Sequence, residues 1–169
     1  MIQPDLPSAA ESWLRVNIPC QTIEFVAGDQ AVRSWPVSTA RNGPGEWRGS
    51  ECTPRGWHRI RARIGEGMPI NTVFRGRRPT GEIYDHWLEA KSPGRDWILT
   101  RILWLGGLEP GFNRYGGVDT AWRYVYIHGS PDRGVTGSPA SHGCVRMKSP
   151  DMLELFDLAR AGMRVLIQA

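Results

Sequence analysis

Short runs that alternate apolar and polar residues, cut apart by glycine and proline, commit this chain to β-structure. The clearest is Trp57-His58-Arg59-Ile60-Arg61-Ala62-Arg63-Ile64, where period-two geometry puts Trp57, Arg59, Arg61 and Arg63 on one face and His58, Ile60, Ala62 and Ile64 on the other. That is the pattern of a strand with one buried side. Trp13 to Val26 reads as two strands broken near Pro19, Gly28-Asp29 as a hairpin turn, and Ala31 to Ser38 as the returning strand. Asn42-Gly43-Pro44-Gly45 then forces a loop. Ile98 to Leu105 is a near-continuous apolar strand, consistent with burial on both faces. With 13 prolines and 20 glycines spread among such runs, a β-rich fold is favoured over a helical bundle.

One helix is expected, near the C-terminus. Ser149 can cap it, Pro150 suits its first position, Asp151 complements its positive end and Gly162 suits its exit, while Met152, Leu155, Phe156 and Ala159 form the apolar stripe. Arg164-Val165-Leu166-Ile167 then reads as a closing strand. The 169 residues fit a single domain over 13–169 after a short lead-in over 1–12. Between Met68 and Gly94, Pro69, Pro79, Pro93 and several glycines suggest a long excursion that frames a binding cleft.

Lysine and arginine total 21 against 17 acidic residues, a net charge of +4. This mildly basic surface suits an anionic ligand such as a peptide carboxylate or a phosphate. No nucleic-acid motif accompanies Arg59-Ile60-Arg61-Ala62-Arg63 or Arg75-Gly76-Arg77-Arg78, which read as solvated faces. Core packing is expected for most of the eight tryptophans, with a sugar-and-peptide-binding surface as the alternative. Cys20, Cys52 and Cys144 are odd in number, so at least one thiol is free, which suits a reducing compartment. No apolar span of about 18 residues occurs, and Met1 to Pro7 lacks the charged and apolar regions of an export signal. The expectation is a cytoplasmic protein without membrane association, or a periplasmic one if a signal has been removed.

Chemistry concentrates in two segments, Ile127-His128-Gly129 and Ser141-His142-Gly143-Cys144-Val145-Arg146. A free thiol has a pKa of about 8.5, so a nucleophilic cysteine needs a neighbouring base or positive charge. His128, His142 and Arg146 are candidates. Gly129 and Gly143 let the backbone approach a substrate, and N–H groups at such a turn can hold an oxyanion. In Tyr124-Val125-Tyr126-Ile127-His128, period two sets Tyr124, Tyr126 and His128 on one face. Against catalysis stands a small buried cysteine among core histidines. Two other classes fit parts of the pattern: a zinc hydrolase using His128, His142 and Cys144, without any further metal-type pairing, and a non-catalytic sugar-and-peptide-binding module with a groove lined by tryptophan and tyrosine.

Taken together, His128-Gly129 and Ser141-His142-Gly143-Cys144-Val145-Arg146 resemble the paired motifs of the YkuD-type L,D-transpeptidase catalytic domain. The likeness runs from about Trp13 to Ile167. It includes Val37-Ser38-Thr39 leading to Thr53-Pro54-Arg55-Gly56, and only the Met68 to Gly117 insert is hard to match. The resemblance implies a mainly β fold, a β-sandwich of two mixed sheets with one principal helix after the catalytic cysteine. It implies a cysteine acyltransferase or peptidase that attacks the carbonyl between a third stem residue, commonly diaminopimelate, and the fourth-position D-alanine of peptidoglycan tetrapeptides. D-alanine leaves, and water (L,D-carboxypeptidase) or an amine (L,D-transpeptidase) resolves the thioester. In the same terms Cys144 is the nucleophile, His128 the base, and the Gly129 carbonyl its orienting partner. Gly143 and Cys144 N–H groups, with His142, hold the oxyanion. Ser141 organises the loop, Arg146 either binds a substrate carboxylate or braces the loop, and Tyr126 lines the substrate site. No cofactor or metal is required, carbapenem-type β-lactams are expected covalent inhibitors, and recycling of soluble muropeptides as an L,D-carboxypeptidase is the expected activity, with periplasmic cross-linking the alternative.

Overall fold

The structure, a computed structural model, describes residues 7–8 and 11–169. Of the lead-in expected over 1–12, residues 1–6 and 9–10 lie outside the described residues. The elements in order are β1 (Ser12–Asn17), β2 (Thr22–Ala27), β3 (Gln30–Pro36), β4 (Gly56–Ile64), β5 (Thr72–Arg75), β6 (Arg78–Ile83), α1 (His86–Lys91), β7 (Ile98–Gly107), β8 (Tyr126–Ser130), β9 (Val145–Lys148), α2 (Ser149–Leu158) and β10 (Arg164–Gln168). The architecture is mainly β with one principal helix.

Strand β7 is the hub. Leu103 pairs with Arg63 of β4 on one edge and with Ile127 of β8 on the other. Beyond β4 the order runs β10, β1, β2 and β3, and beyond β8 lies β9. Because Leu99 pairs with both Val73 and Gly129, the β5–β6 hairpin must share the β4 edge of β7. The β1–β10 and β8–β9 pairs are parallel and the others antiparallel, so the sheet is mixed. The two expected sheets are thereby continuous through β7 in one curled ten-stranded ladder.

The buried face follows from strand periodicity. Leu14, Val16, Ile60, Leu103, Leu105, Ile127, Val145 and Met147 join Met152, Leu155 and Phe156 of α2 in one cluster, and α2 packs on β7, β8 and β9. His58 and Ile60 are buried as the alternation of β4 predicts, and a bulge between Ile60 and Ala62 weakens the pattern beyond them.

Several expectations change. Ser149 lies inside α2 rather than capping it, and its hydroxyl accepts a hydrogen bond of 2.6 Å from Thr100. The reason is a bulge in β7 between Leu99 and Ile102, where Thr100 takes φ 72° and reaches the start of the helix. The Met68 to Gly94 excursion is mostly ordered as β5, β6 and α1. The strand expected from Tyr124 starts at Tyr126, since Tyr124 itself has φ 57°. Only Trp35 and Trp97 are buried, whereas Trp47, Trp87 and Trp122 are exposed. Arginine takes the place of core contacts for several rings, with Arg61 and Arg77 both within 4.6 Å of the Trp104 centroid.

Candidate active site

Alternation within the parallel β8–β9 pair builds the site. Ile127, level with Val145, faces the core, so Tyr126 and His128 of β8 and Arg146 of β9 project from the opposite face. Cys144 precedes Val145 and comes level with Tyr126, whose N–H donates to Sγ at 3.3 Å. His128 stands one pleat further along the same face, about 6.6 Å by strand geometry, and is level with Arg146. The second polar contact of the sulfur is the Tyr124 carbonyl at 3.7 Å. No hydrogen bond joins Sγ to the imidazole in this resting arrangement.

The tautomer of His128 is set by its neighbour. Its Nδ1 lies 2.7 Å from the Gly129 carbonyl, which can only accept, so Nδ1 carries the proton and Nε2 keeps a lone pair. Gly129 is required by close approach as well: a Cβ there would lie 2.5 Å from the Leu99 carbonyl oxygen and 3.0 Å from the Thr100 Cβ. Burial pulls the imidazole below its usual range, Arg146 adding to the fall while the Gly129 contact and Asp96 oppose it. Burial also pushes the Cys144 thiol up to about 11; the Tyr126 N–H opposes this, Asp96 reinforces it, and Arg146 and Arg123 oppose it. Both groups are therefore neutral at rest near pH 7.

The loop before Cys144 is tied internally. The Ser141 hydroxyl donates to the Cys144 carbonyl at 2.5 Å and accepts from the Gly143 N–H at 3.2 Å. The Gly143 N–H expected for an oxyanion is thus engaged, whereas among the described residues the Cys144 N–H makes no turn or loop hydrogen bond. Gly143 itself sits at φ 131°, and its carbonyl accepts from the buried Thr53 hydroxyl at 3.0 Å. His142 is exposed on the ridge between two clefts. Arg146 donates to Asp96 at 2.8 Å and to the Ala140 carbonyl at 3.4 Å, which ties the loop to the segment before β7. Tyr126 does not line the cysteine cleft with its phenol, which accepts from Arg77 at 2.9 Å; its contribution there is the backbone N–H.

Three supports escaped sequence reasoning. The 37–41 segment clamps the cysteine loop, with Ser38 and Arg146 exchanging backbone bonds of 3.0 and 2.9 Å and the Thr39 carbonyl accepting from Ala140 and Ser141. Buried Gln21 holds that segment through both its amide and the Thr39 hydroxyl. Arg123 lines the cysteine cleft and fastens the preceding loop by donating to the Glu46 carbonyl at 2.8 Å and the Cys52 carbonyl at 2.6 Å. No local pattern marks a lone arginine between aromatics for such a task. His58, by contrast, is a core histidine, bonded to the Gly56 carbonyl and the Thr120 hydroxyl and driven by burial to about 4. Among the described residues, no three His, Cys, Asp or Glu side chains converge as a metal cage.

The cysteine opens into a cleft of about 280 Å³ with Arg48, Glu51, Trp122, Arg123 and Tyr124 on its walls. A family sequence model, the YkuD L,D-transpeptidase catalytic domain, matches residues 11–167. An L,D-transpeptidase from Mycobacterium smegmatis aligns with a TM-score of 0.56 at 18% identity, over 95% of this chain and 59% of its own. One from Xylanimonas cellulosilytica gives 0.56 at 20% identity over 99% and 65%. L,D-transpeptidase 3 of Mycobacterium tuberculosis, with a faropenem-derived adduct, gives 0.56 at 14% over 94% and 60%. The chain thus spans less than two thirds of these structures, and at such identities they establish the fold. No curated protein matches the sequence. A sequence match over nearly the whole chain, seated on this curled sheet with its His-Gly strand beside the cysteine loop, makes the chain a member of the YkuD L,D-transpeptidase catalytic-domain family.

Proposed function

We propose that this protein is a cysteine acyl-enzyme that cleaves the L,D bond between a diaminopimelate-type third residue and the fourth-position D-alanine of peptidoglycan tetrapeptide stems. The observation that carries this reading is the shared face of Cys144 and His128, with the imidazole tautomer set by the Gly129 carbonyl. In the reaction, the Cys144 proton passes to Nε2 as sulfur bonds to the scissile carbonyl carbon. The Cys144 N–H meets the developing oxyanion. Collapse breaks the C–N bond, and the imidazolium returns its proton to the departing D-alanine amine, leaving a thioester. Because thiol and imidazole rest neutral, proton transfer accompanies attack.

Water resolves the thioester in this proposal, which makes the enzyme an L,D-carboxypeptidase of soluble muropeptides in the cytoplasm. Support comes from Cys20, Cys52 and Cys144, all free thiols, which suit a reducing compartment. An amine acceptor, and with it cross-linking outside the membrane, is favoured by one feature: a second cleft meets the first at His142 and offers an acceptor its own approach. Carbapenem-type acylation of Cys144 is part of the proposal, since fold neighbours were captured with imipenem and a faropenem-derived adduct.

The test is mass spectrometry of a tetrapeptide incubated with the protein, with and without a D-amino acid. Tripeptide and D-alanine in both reactions support hydrolysis. Exchanged or dimeric product would replace it with transfer, and an unaltered tetrapeptide would overturn the acyl-enzyme reading.

A further inference from the structure

Across His142 from the cysteine, the second cleft, also about 280 Å³, is lined by Arg41, Arg95, Arg133 and Arg146 with Asp96 as its one acidic residue. Four separate segments bring these arginines together, so no local sequence pattern announces them. Glu82 pairs with Arg95 at 2.8 Å, Asp96 with Arg146 at 2.8 Å, and Glu89 with Arg133. Arg41 has no acidic partner among the described residues. Two lining residues also carry unpaired donors, Arg146 Nε and Trp97 Nε1, which are buried behind the cleft surface without a hydrogen-bond partner. The Asp96 side chain is 49% exposed against 13% for Arg146, so an incoming anion can take its place. Converging positive charge with unspent donors is chemistry for an oxyanion.

We propose that this cleft binds a substrate carboxylate remote from the scissile bond, that of the third residue's side chain. The inference rests on the function proposed above and assigns a specificity to it. Reach separates the two carboxylates. That of the terminal D-alanine is three bonds from the attacked carbon and stays within the cysteine cleft, whereas the long diaminopimelate side chain carries its carboxylate about twice as far. Arg41 and Arg146 contact the anion, and Arg95 and Arg133 supply field.

Calorimetry on the Cys144→Ala protein would compare the free-acid tetrapeptide, the same peptide with its third-residue side chain as carboxamide, and UDP as a phosphate probe. Amidation should weaken binding by about tenfold or more at low salt; Arg41→Gln should erase most of that difference and Arg133→Gln, which removes only field, a smaller part of it. Equal affinity for acid and amide, a penalty that survives both variants, or tighter Arg41-dependent binding of UDP would overturn the proposal. D-alanine release by the unaltered enzyme separates the two readings. Acid-selective binding without any release sinks the enzymatic reading alone, and release indifferent to amidation sinks the cleft alone.

Discussion

The protonation state of Cys144 yields the sharpest prediction, because desolvation and local charge act on it in opposite directions. Burial raises the thiol from the ordinary free range to about 11, despite the Tyr126 N–H and the charges of Arg146 and Arg123. A pKa higher by about two leaves roughly 100-fold less thiolate at neutral pH than an unperturbed thiol would hold. Iodoacetamide alkylation of a Cys20→Ser/Cys52→Ser protein, followed by intact mass, should therefore accelerate about tenfold per pH unit and level off only near pH 11. Turnover should behave differently. The imidazole is lowered from 6.5, so the base is already unprotonated at pH 7 and the acid limb of kcat/KM falls below that value. An alkylation plateau below about pH 8 would reveal a preformed thiolate–imidazolium pair and refute the neutral resting state.

Gly129→Ala should destabilise the protein by about 1–3 kcal/mol in urea titrations and cut D-alanine release, since the new Cβ meets the Leu99 carbonyl and shifts the acceptor of His128; a fully active variant with an unchanged midpoint would contradict the close approach. Phe156→Ala should cost about 3–5 kcal/mol, removing a side chain that is 2% exposed and that Arg63 covers at 4.1 Å. His128→Ala should lower turnover by about 10²–10⁴-fold with little change in circular dichroism, as expected when only a base is lost. The Cys20→Ser/Cys52→Ser protein should keep the unaltered enzyme's kcat, measured as D-alanine release, because neither sulfur lines the cysteine cleft.

Much of the site is legible in consecutive residues. The spacing of Ser141, Gly143, Cys144 and Arg146 marks a shaped loop, and the alternation in Tyr126-Ile127-His128 puts the histidine opposite the core-facing isoleucine. The apolar stripe is equally plain: Met152, Leu155 and Phe156 of α2 and Ala159 just after its last residue are all buried. The bulge at Thr100 is not legible, because a left-handed threonine inside an apolar run leaves no local trace. Neither is the Gly143 N–H turning back onto Ser141, a choice made by a hydroxyl two residues away.

Sequence alone determined the strand pattern, the pairing of a His-Gly strand end with a cysteine loop, and thus the family. Tertiary structure alone decided how that chemistry is tuned. The neutral thiol depends on burial and Asp96 prevailing over Arg123 and Arg146, the loop on Ser38, Thr39 and Thr53, and the basic cleft on arginines from four segments. The reason is one of range: side-chain direction repeats every two residues along a strand, whereas desolvation and charge are set by neighbours that only the folded sheet brings near.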